Sequence, residues 1–124
     1  MDDYVNRQRQ GYDADAVMHG PIANLTASVN GAALLVGENV ELDVVARVGG
    51  AIGGTSPTLD VTIECSADGS TGWAQVGAIG QIDDSESPTV ARGMARTTEK
   101  YVRAVLTTGG TSPDFADVEV YIAS

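Results

Sequence analysis

The sequence predicts an all-β protein, an antiparallel β-sandwich or jelly roll of about eight strands with an extended N-terminal arm. Several segments alternate apolar and polar residues with a period of two, which is typical of strands that bury one face. Fifteen glycines and four prolines interrupt these segments at short intervals and predict frequent turns. Aromatic residues make up only 5% of the chain. The core is therefore mostly aliphatic, which suits sheets that pack face to face.

The chain divides into an N-terminal arm, residues 1–21, and one β-sandwich domain, residues 22–124. A length of 124 residues favours a single core, because two halves would each bury too little surface. The arm has neither the strand period nor the helix period. We expect it to dock on its own domain or on a neighbouring subunit, because free polar arms fray. The candidate docking residues are Tyr4, Val5, Arg7, Arg9, Tyr12, Val17 and Met18.

Alternation and turn signals also place the individual strands. The first two form a short hairpin around Asn30-Gly31, which is a favourable two-residue turn. The clearest half-buried strand covers residues 40–48, where Val, Leu and Ala alternate with charged residues. The strand at residues 89–97 alternates larger side chains with small ones. The predicted strands cover residues 24–30, 32–36, 40–48, 59–65, 73–79, 89–97, 100–108 and 115–122.

A Gly-Gly-Thr-Ser-Pro sequence occurs twice, at residues 53–57 and 109–113. Each copy lies between two alternating segments, so the sequence predicts the tip of a β-hairpin at both places. The second of these hairpins is the longest, and the rest of the chain is arranged around it. Two further loops are predicted: residues 66–72, with the turn signal Asp68-Gly69, and the acidic residues 81–88.

Cys65 and Trp73 are each the only residue of their type. Cys65 continues the apolar alternation of its strand, so we expect a buried thiol, and a single cysteine excludes an intrachain disulfide. Trp73 is expected to fill the core, as a lone tryptophan in a small sandwich usually does. The alternative, an exposed indole that stacks on a sugar ring, stays open.

The chain is strongly acidic, with a net charge of -10 and an isoelectric point of about 4.2. Its field opposes nonspecific attraction to phosphate backbones, so direct nucleic-acid binding is not expected. No apolar run is long enough to span a membrane, so a membrane partner is not expected either. The N-terminus lacks the apolar centre of a signal peptide, which predicts synthesis in a cytosol-like compartment.

No constellation of residues predicts catalysis, a cofactor or a metal site. His19 is the only histidine, and one histidine with one cysteine cannot complete the usual zinc site. The acids at residues 2–3, 13–15 and 83–86 lack the spacing of a calcium-binding loop, so solvated loops are expected, with a subunit-bridging calcium as the alternative. The glycines at residues 49–54 lack the lysine of a phosphate-binding loop. We therefore predict a protein that is not an enzyme.

The last two predicted strands carry a candidate contact patch. Tyr101 and Arg103 share the strand face opposite to Val102, and Tyr121 lies on the polar face of the final strand. Tyrosine and arginine are enriched at protein interfaces, so we predict that these three residues bind a partner. An ordinary solvated sheet face is the alternative interpretation.

Two segments carry a resemblance to a known group of proteins. Residues 58–73 read Thr-Leu-Asp-Val-Thr-Ile-Glu-Cys-Ser-Ala-Asp-Gly-Ser-Thr-Gly-Trp, and residues 100–115 read Lys-Tyr-Val-Arg-Ala-Val-Leu-Thr-Thr-Gly-Gly-Thr-Ser-Pro-Asp-Phe. The chain resembles small virion proteins of tailed bacteriophages, which pair a Ser-x-Asp-Gly…Trp strand and turn with a Tyr-Val-Arg strand. The resemblance implies a β-sandwich on the capsid exterior, or another structural part of the particle. It implies no catalytic residues.

From this resemblance we expect a capsid decoration, or cement, protein that binds the major capsid protein and stabilises the shell. Such a protein is assembled in the host cytoplasm and resides on the virion exterior. We expect a homo-oligomer, and a trimer would suit the local threefold positions of an icosahedral shell. The alternatives are a tail or head-fibre component, or a carbohydrate-binding β-sandwich that uses Trp73 and nearby acids.

Overall fold

The computed structural model describes the backbone of residues 17–83 and 90–123, and the side chains of residues 22–83 and 90–123. These residues form one antiparallel sheet of eight strands that is nearly closed into a barrel. The predicted all-β class and strand number are confirmed. Within the described ranges there is no apolar helix of membrane-spanning length. The strands are β1 (Val17–Leu25), β2 (Val29–Asn30), β3 (Leu34–Leu35), β4 (Glu41–Val48), β5 (Ile52–Ser66), β6 (Ala74–Asp83), β7 (Val90–Arg96) and β8 (Tyr101–Ala123).

The long strand β8 pairs with five of the other strands. Along one edge it pairs with β5 from Tyr101 to Phe115 and with β4 from Val118 to Ala123. The amides of Gly49 and Gly50 donate to β8 carbonyls between these two stretches, at 2.8 and 3.0 Å. Strands β4 and β5 therefore act together as one continuous partner of β8. Along its other edge, β8 pairs with β3, β2 and β1.

The two hairpins predicted at the Gly-Gly-Thr-Ser-Pro repeats are wrong. Strand β5 continues through residues 53–57, and β8 continues through residues 109–113. The two repeats pair with each other, and Thr55 lies opposite Thr111. The glycine-rich residues 49–54 do not form a free loop either, because Gly49 and Gly50 donate to β8 carbonyls and β5 begins at Ile52. Sequence alone misassigned these segments because glycine, serine and proline serve β-bulges as well as turns.

The paired repeats have the same backbone geometry, so they are related by an approximate two-fold axis. Gly54 and Gly110 have φ of 106° and 93°, and Ser56 and Ser112 have φ of 49° and 50°. The pairing register shifts on both sides of this segment. Such bulges bend a strand pair sharply. Side chains from both halves of the ribbon then form a single hydrophobic core.

The first predicted hairpin is also wrong, and the sheet begins earlier in the chain than predicted. Residues 24–30 and 32–36 do not pair with each other, because β2 and β3 each pair with β8. Short strands with few turn residues between them can lie along one long neighbour as easily as against each other. Strand β1 begins at Val17, so residues 17–21 of the predicted arm belong to the sheet. Residues 1–16 lie outside the described part of the chain, as do residues 84–88 of the predicted acidic loop.

The core is aliphatic, as predicted, with Phe115 as its one fully buried aromatic residue among the described side chains. Cys65 is buried, which confirms the expectation for the thiol. Trp73 is only half-buried and does not belong to the core, so its predicted core position is wrong. It precedes the first residue of β6 and therefore does not follow the alternation of that strand.

Small residues close the core where β6 packs against β7. A Cβ atom at Gly77 would lie 2.8 Å from the Cβ atom of Ala95, and one at Gly93 would lie 3.2 Å from the Cα atom of Ile79. The two backbones therefore approach much more closely than the ~10 Å typical of stacked sheets. The predicted alternation of β7 is confirmed: its small residues face inward and its larger residues face outward.

Candidate partner-binding surface

The first half of β8 presents Tyr101 and Arg103 on its outer face, whereas Val102 and Ala104 are fully buried. This alternation follows from the pleat of a strand that covers a core with one face only. Both outward residues are half-buried rather than fully solvated. Residues of β3, of β5 and of the turn that follows β5 pack against them. Two of the three contact residues predicted on the closing strands therefore lie side by side.

Arg103 is fixed by Glu64, its direct cross-strand neighbour on β5. The Nε and Nη2 atoms of the guanidinium donate to the same carboxylate oxygen, Oε1, at 2.9 and 2.7 Å. About a fifth of the Arg103 side chain and a quarter of the Glu64 side chain stay exposed, at 21% and 24%. Charge-assisted hydrogen bonds in this setting contribute about 0.5–1 kcal/mol. Their main effect is to hold the guanidinium in one orientation.

The same guanidinium lies over the indole of Trp73. Its Cζ atom is 4.2 Å from the ring centroid, which is within the range of a cation–π interaction. Glu64, Arg103 and Trp73 thus form one stacked group on the outer face of the sheet. No local pattern predicts this arrangement, because Trp73 and Arg103 are far apart along the chain and meet only through the pairing of β5 with β8.

A tight turn, residues 66–72, supports this group. The Asp68 Oδ1 atom accepts hydrogen bonds from the amides of Ser70 and Thr71 at 2.9 and 2.8 Å, and Oδ2 accepts one from the Thr71 hydroxyl at 2.9 Å. The Ser66 hydroxyl donates to Asp68 as well and contacts the carbonyl of Thr71. These donors, the Thr71 amide foremost, hold the pKa of the Asp68 carboxyl well below its usual range.

The turn also packs against Tyr101. A Cβ atom at Gly69 would lie 3.0 Å from the Cδ2 atom of the Tyr101 ring, so the glycine backbone rests directly on the ring. On its other side, Tyr101 pairs with Leu35 of β3, which is 68% exposed. We call Leu35, Glu64, Trp73, Tyr101 and Arg103 the Trp73 surface. Leu34 and Leu35 are adjacent in an alternating strand, so one of them had to face outward, and this signal was present in the sequence.

Tyr121, the third contact residue predicted on the closing strands, lies in the other half of β8. It pairs with Val45 of β4 and lies close enough to Arg92 to help raise the pKa of that guanidinium, after the larger effect of Asp43. Arg92 donates to Asp43 from Nε at 3.0 Å, and this bond holds the pKa of the Asp43 carboxyl below its usual range. The three predicted residues therefore occupy different halves of the strand.

The candidate docking residues of the arm fall into two groups. Val17 and Met18 belong to β1, where Val17 pairs with Tyr121 of β8. The remaining candidates lie outside the described residues: Tyr4, Val5, Arg7, Arg9 and Tyr12. His19 also lies in β1, opposite Val120.

The described part of the chain contains no group of three or more His, Cys, Asp or Glu residues placed to hold a metal ion. Comparison with known proteins adds no relative, because no protein-family model and no curated protein matches the chain. Fold alone does not define function. The Trp73 surface is therefore the feature from which function has to be argued.

Proposed function

We propose that the protein is a non-enzymatic structural component of a bacteriophage particle, a capsid decoration protein that binds the major capsid protein and stabilises the shell. It is assembled in the host cytoplasm and resides on the capsid exterior. The observation that carries the proposal is the Trp73 surface, together with the resemblance of residues 58–73 and 100–115 to small phage virion proteins.

The residue types of this surface are those that dominate binding energy at protein interfaces. Tryptophan, tyrosine and arginine are enriched among the positions at which truncation weakens a complex strongly. Here they lie next to Leu35, the most exposed large apolar residue among the described side chains. The core does not require these side chains, since its described buried residues are almost all aliphatic.

The surface is also fixed before any partner binds. Glu64 and Trp73 hold the guanidinium of Arg103, and the turn at residues 66–72 holds the ring of Tyr101. Side chains that are already ordered lose less conformational entropy on association, typically about 0.5–1.5 kcal/mol less for each long side chain. A rigid surface on a small, acidic β-domain suits a protein that binds a shell and avoids its nucleic acid.

The arm supplies a second part of the proposed attachment. Strand β1 begins at Val17, so the five arm candidates that precede it are the ones assigned here to a neighbour. Tyr4, Val5, Arg7, Arg9 and Tyr12 would bind the major capsid protein or a sister copy. The protein acts as a homo-oligomer on the shell, and neither nucleic acid nor a membrane is a partner.

Co-sedimentation with undecorated capsids tests the proposal. The full-length protein should bind saturably, and Arg103→Ala or Trp73→Ala should weaken binding at least ~10-fold. A deletion of residues 1–16, which leaves β1 intact, should weaken it as well. Arg47→Ala is the matched control, because Arg47 also lies opposite an acid, Glu119, but in the other half of the ribbon.

The outcomes separate the alternatives. Full-length protein that does not bind capsids would overturn the decoration role, and co-purification with tails would then support the tail or head-fibre alternative. Equal loss of binding for Arg103→Ala and Arg47→Ala would remove the Trp73 surface from the interface.

A carbohydrate-binding module is the second candidate, because Trp73 lies outside the core. Arg103 covers part of its indole, so a sugar that stacks there has to share the ring with the guanidinium or displace it. Tryptophan fluorescence during titration with glycans tests this function. A saturable spectral shift that Arg103→Ala strengthens would favour it, and an unchanged spectrum would exclude it.

A further inference from the structure

We propose that, in the free protein, residues 1–16 fold back over the outer face of β4 and β7 of their own chain. The residues of this face that carry the argument are Val45, Val90, Arg92, Met94 and Arg96, and we call them the Met94 face. The Met94 face is separate from the Trp73 surface, because β4 pairs with the second half of β8. The contact concerns the free protein and does not depend on the capsid role proposed above.

The Met94 face exposes apolar side chains that the core does not use. Val90 and Met94 are 46% and 54% exposed, and they are two of the three large hydrophobic residues that are exposed among the described side chains. Strand β7 buries its small residues instead, such as Ala91 and Ala95. Apolar side chains grouped on one face among polar residues are typical of a contact surface. The question is therefore which segment covers them.

The pairing of the strands places the first described residue of β1 in line with this face. Val17 pairs with Tyr121 of β8. Tyr121 pairs with Val45 of β4, and Val45 pairs with Arg92 of β7. These four residues form one row across four adjacent strands. Because neighbouring strands lie about 4.8 Å apart, β1 is roughly 14 Å from β7.

The direction of β1 brings the arm to the level of Met94. Strand β1 runs antiparallel to β8, so a chain that precedes Val17 leaves the sheet at the end where Ala123 lies. Ala123 pairs with Asp43, and Asp43 pairs with Met94. About four extended residues span the ~14 Å from β1 to β7. A segment tethered this close has an effective concentration on the order of millimolar, which favours the face of its own chain over that of a second copy.

The last residues of the arm also have the chemistry that this face requires. Residues 12–16 read Tyr-Asp-Ala-Asp-Ala. Tyr12 supplies an aromatic ring for Met94, and thioethers pack favourably on aromatic rings. Asp13 and Asp15 supply carboxylates, which a guanidinium binds well.

Arg96 is the described arginine that lacks a carboxylate. Each of the other described arginines forms an ion pair with an acid of the described chain. Among the described residues, the hydrogen bond of Arg96 is a long one to the Asn39 carbonyl, at 3.4 Å. The two carboxylates at the end of the arm supply the missing partner. Charge and apolar contact thus point to the same segment.

This contact competes with the attachment proposed for the arm. Tyr12 cannot lie on Met94 and on a neighbouring molecule at the same time. A neighbour that takes the arm therefore uncovers the Met94 face. Before assembly, the arm keeps these apolar side chains covered, which favours the solubility of free copies.

Oxidation of Met94 by dilute hydrogen peroxide, followed by peptide mass spectrometry, tests the contact in the free protein. Met94 should be oxidised at least ~3-fold faster in a chain that lacks residues 1–16 than in the full-length chain, because oxidation follows exposure. The double variant Asp13→Lys with Asp15→Lys should show the same increase. Asp2→Lys with Asp3→Lys is the matched control at the far end of the arm and should leave the rate unchanged.

A charge exchange tests the pairing with Arg96. Arg96→Glu, added to the variant with lysines at positions 13 and 15, should restore the slow oxidation of Met94. The protection in the full-length chain should not depend on protein concentration, since both partners belong to one molecule. Circular dichroism should show every variant folded.

Three results would each overturn the proposal. They are equal oxidation rates of Met94 with and without residues 1–16, equal effects of the two lysine double variants, and protection that is lost on dilution. The last result would assign the arm to a second copy. Capsids are absent from these experiments, so the arm contact and the decoration role can fail independently.

Discussion

Two segments of this chain are rich in glycine, serine and threonine, yet they fold in opposite ways. Residues 66–72 reverse the chain, as their composition predicts, whereas the paired repeats at residues 53–57 and 109–113 continue along their strands. In the turn, one carboxylate collects the local amides and closes the loop. In the repeats, the backbone groups pair with a distant copy of the same sequence. Local side-chain acceptors thus distinguish a turn from a bulge.

The two segments also play different parts in the molecule. The turn at residues 66–72 packs on Tyr101 and supports the Trp73 surface. The repeats bend the long ribbon so that both of its halves cover one core. Substitutions in the turn should therefore affect the surface, and substitutions in the repeats should affect global stability.

The largest effect is expected for Gly110→Ala. Gly110 has φ of 93°, and an added Cβ atom would collide with the carbonyl of Ser56 and lie 2.8 Å from the carbonyl oxygen of Thr55. Backbone strain and overpacking together should lower the free energy of unfolding by about 3 kcal/mol. Gly72 in the turn is the matched control, because it has φ of 67° and open space around it. Gly72→Ala should cost about 1 kcal/mol in urea unfolding. Equal losses for the two variants would contradict the close packing of Gly110 against the other repeat.

A smaller loss of stability is expected for Asp68→Ala, with a specific effect on the surface. The substitution removes the acceptor of the Ser70 and Thr71 amides, so the turn loosens from Tyr101. Because Trp73 directly follows the turn, its fluorescence should shift and acrylamide should quench it more strongly. Gly110→Ala, studied where it is fully folded, should leave the Trp73 spectrum unchanged.

The two segments should also differ in their response to pH. The folded pKa of Asp68 lies below its usual range, so the stability that its ionised carboxyl contributes is complete above the ordinary aspartate value of about 4. It is lost as the pH falls through the folded pKa. The difference in urea midpoint between wild type and Asp68→Asn should therefore be largest near neutral pH and shrink as the pH falls below ~4.

The repeats contain no titratable side chain. The stability difference between wild type and Gly110→Ala should consequently stay constant over the same pH range, provided that both proteins remain folded. A difference that shrinks in parallel with that of Asp68→Asn would contradict the separation of the two segments.

The smallest effect is expected at the serines of the repeats. Ser56 and Ser112 have positive φ, which favours glycine. Ser56→Gly and Ser112→Gly should each raise the free energy of unfolding by at most about 1 kcal/mol, because relief of strain is partly offset by the added freedom of the unfolded chain. The two-fold relation of the repeats predicts similar values for both, measured by urea unfolding. Opposite signs would show that the repeats differ in geometry.

Prediction from sequence succeeded where one strand has one buried face. The sequence predicts a strand at residues 40–48, and β4 covers Glu41–Val48 with the expected alternation except at Val45, which is also buried. The small inner face of β7 was also recognisable, because Ala91, Gly93 and Ala95 alternate with larger residues. Both depend only on the local period of the sequence.

Prediction failed where pairing is non-local. The Gly-Gly-Thr-Ser-Pro repeats have the composition of hairpin tips, and only their pairing with each other makes them bulges. Alternation along β8 predicts that Tyr101 and Arg103 face outward, because that property is local. Alternation does not predict the stacking of Arg103 on Trp73. That contact depends on the register between β5 and β8, which no local signal encodes.

The pairing of the two repeats is tested most directly by a disulfide between Thr55→Cys and Thr111→Cys. Opposed residues in an antiparallel pair have Cα atoms about 4.5–5.5 Å apart, which a disulfide can span. Both positions are exposed, so mild oxidation of the double variant should give an intramolecular crosslink in nearly all molecules. A hairpin tip at residues 109–113 would instead place residues 105 and 117 opposite each other. Crosslinking of Val105→Cys with Asp117→Cys, and none between positions 55 and 111, would contradict the continuous ribbon.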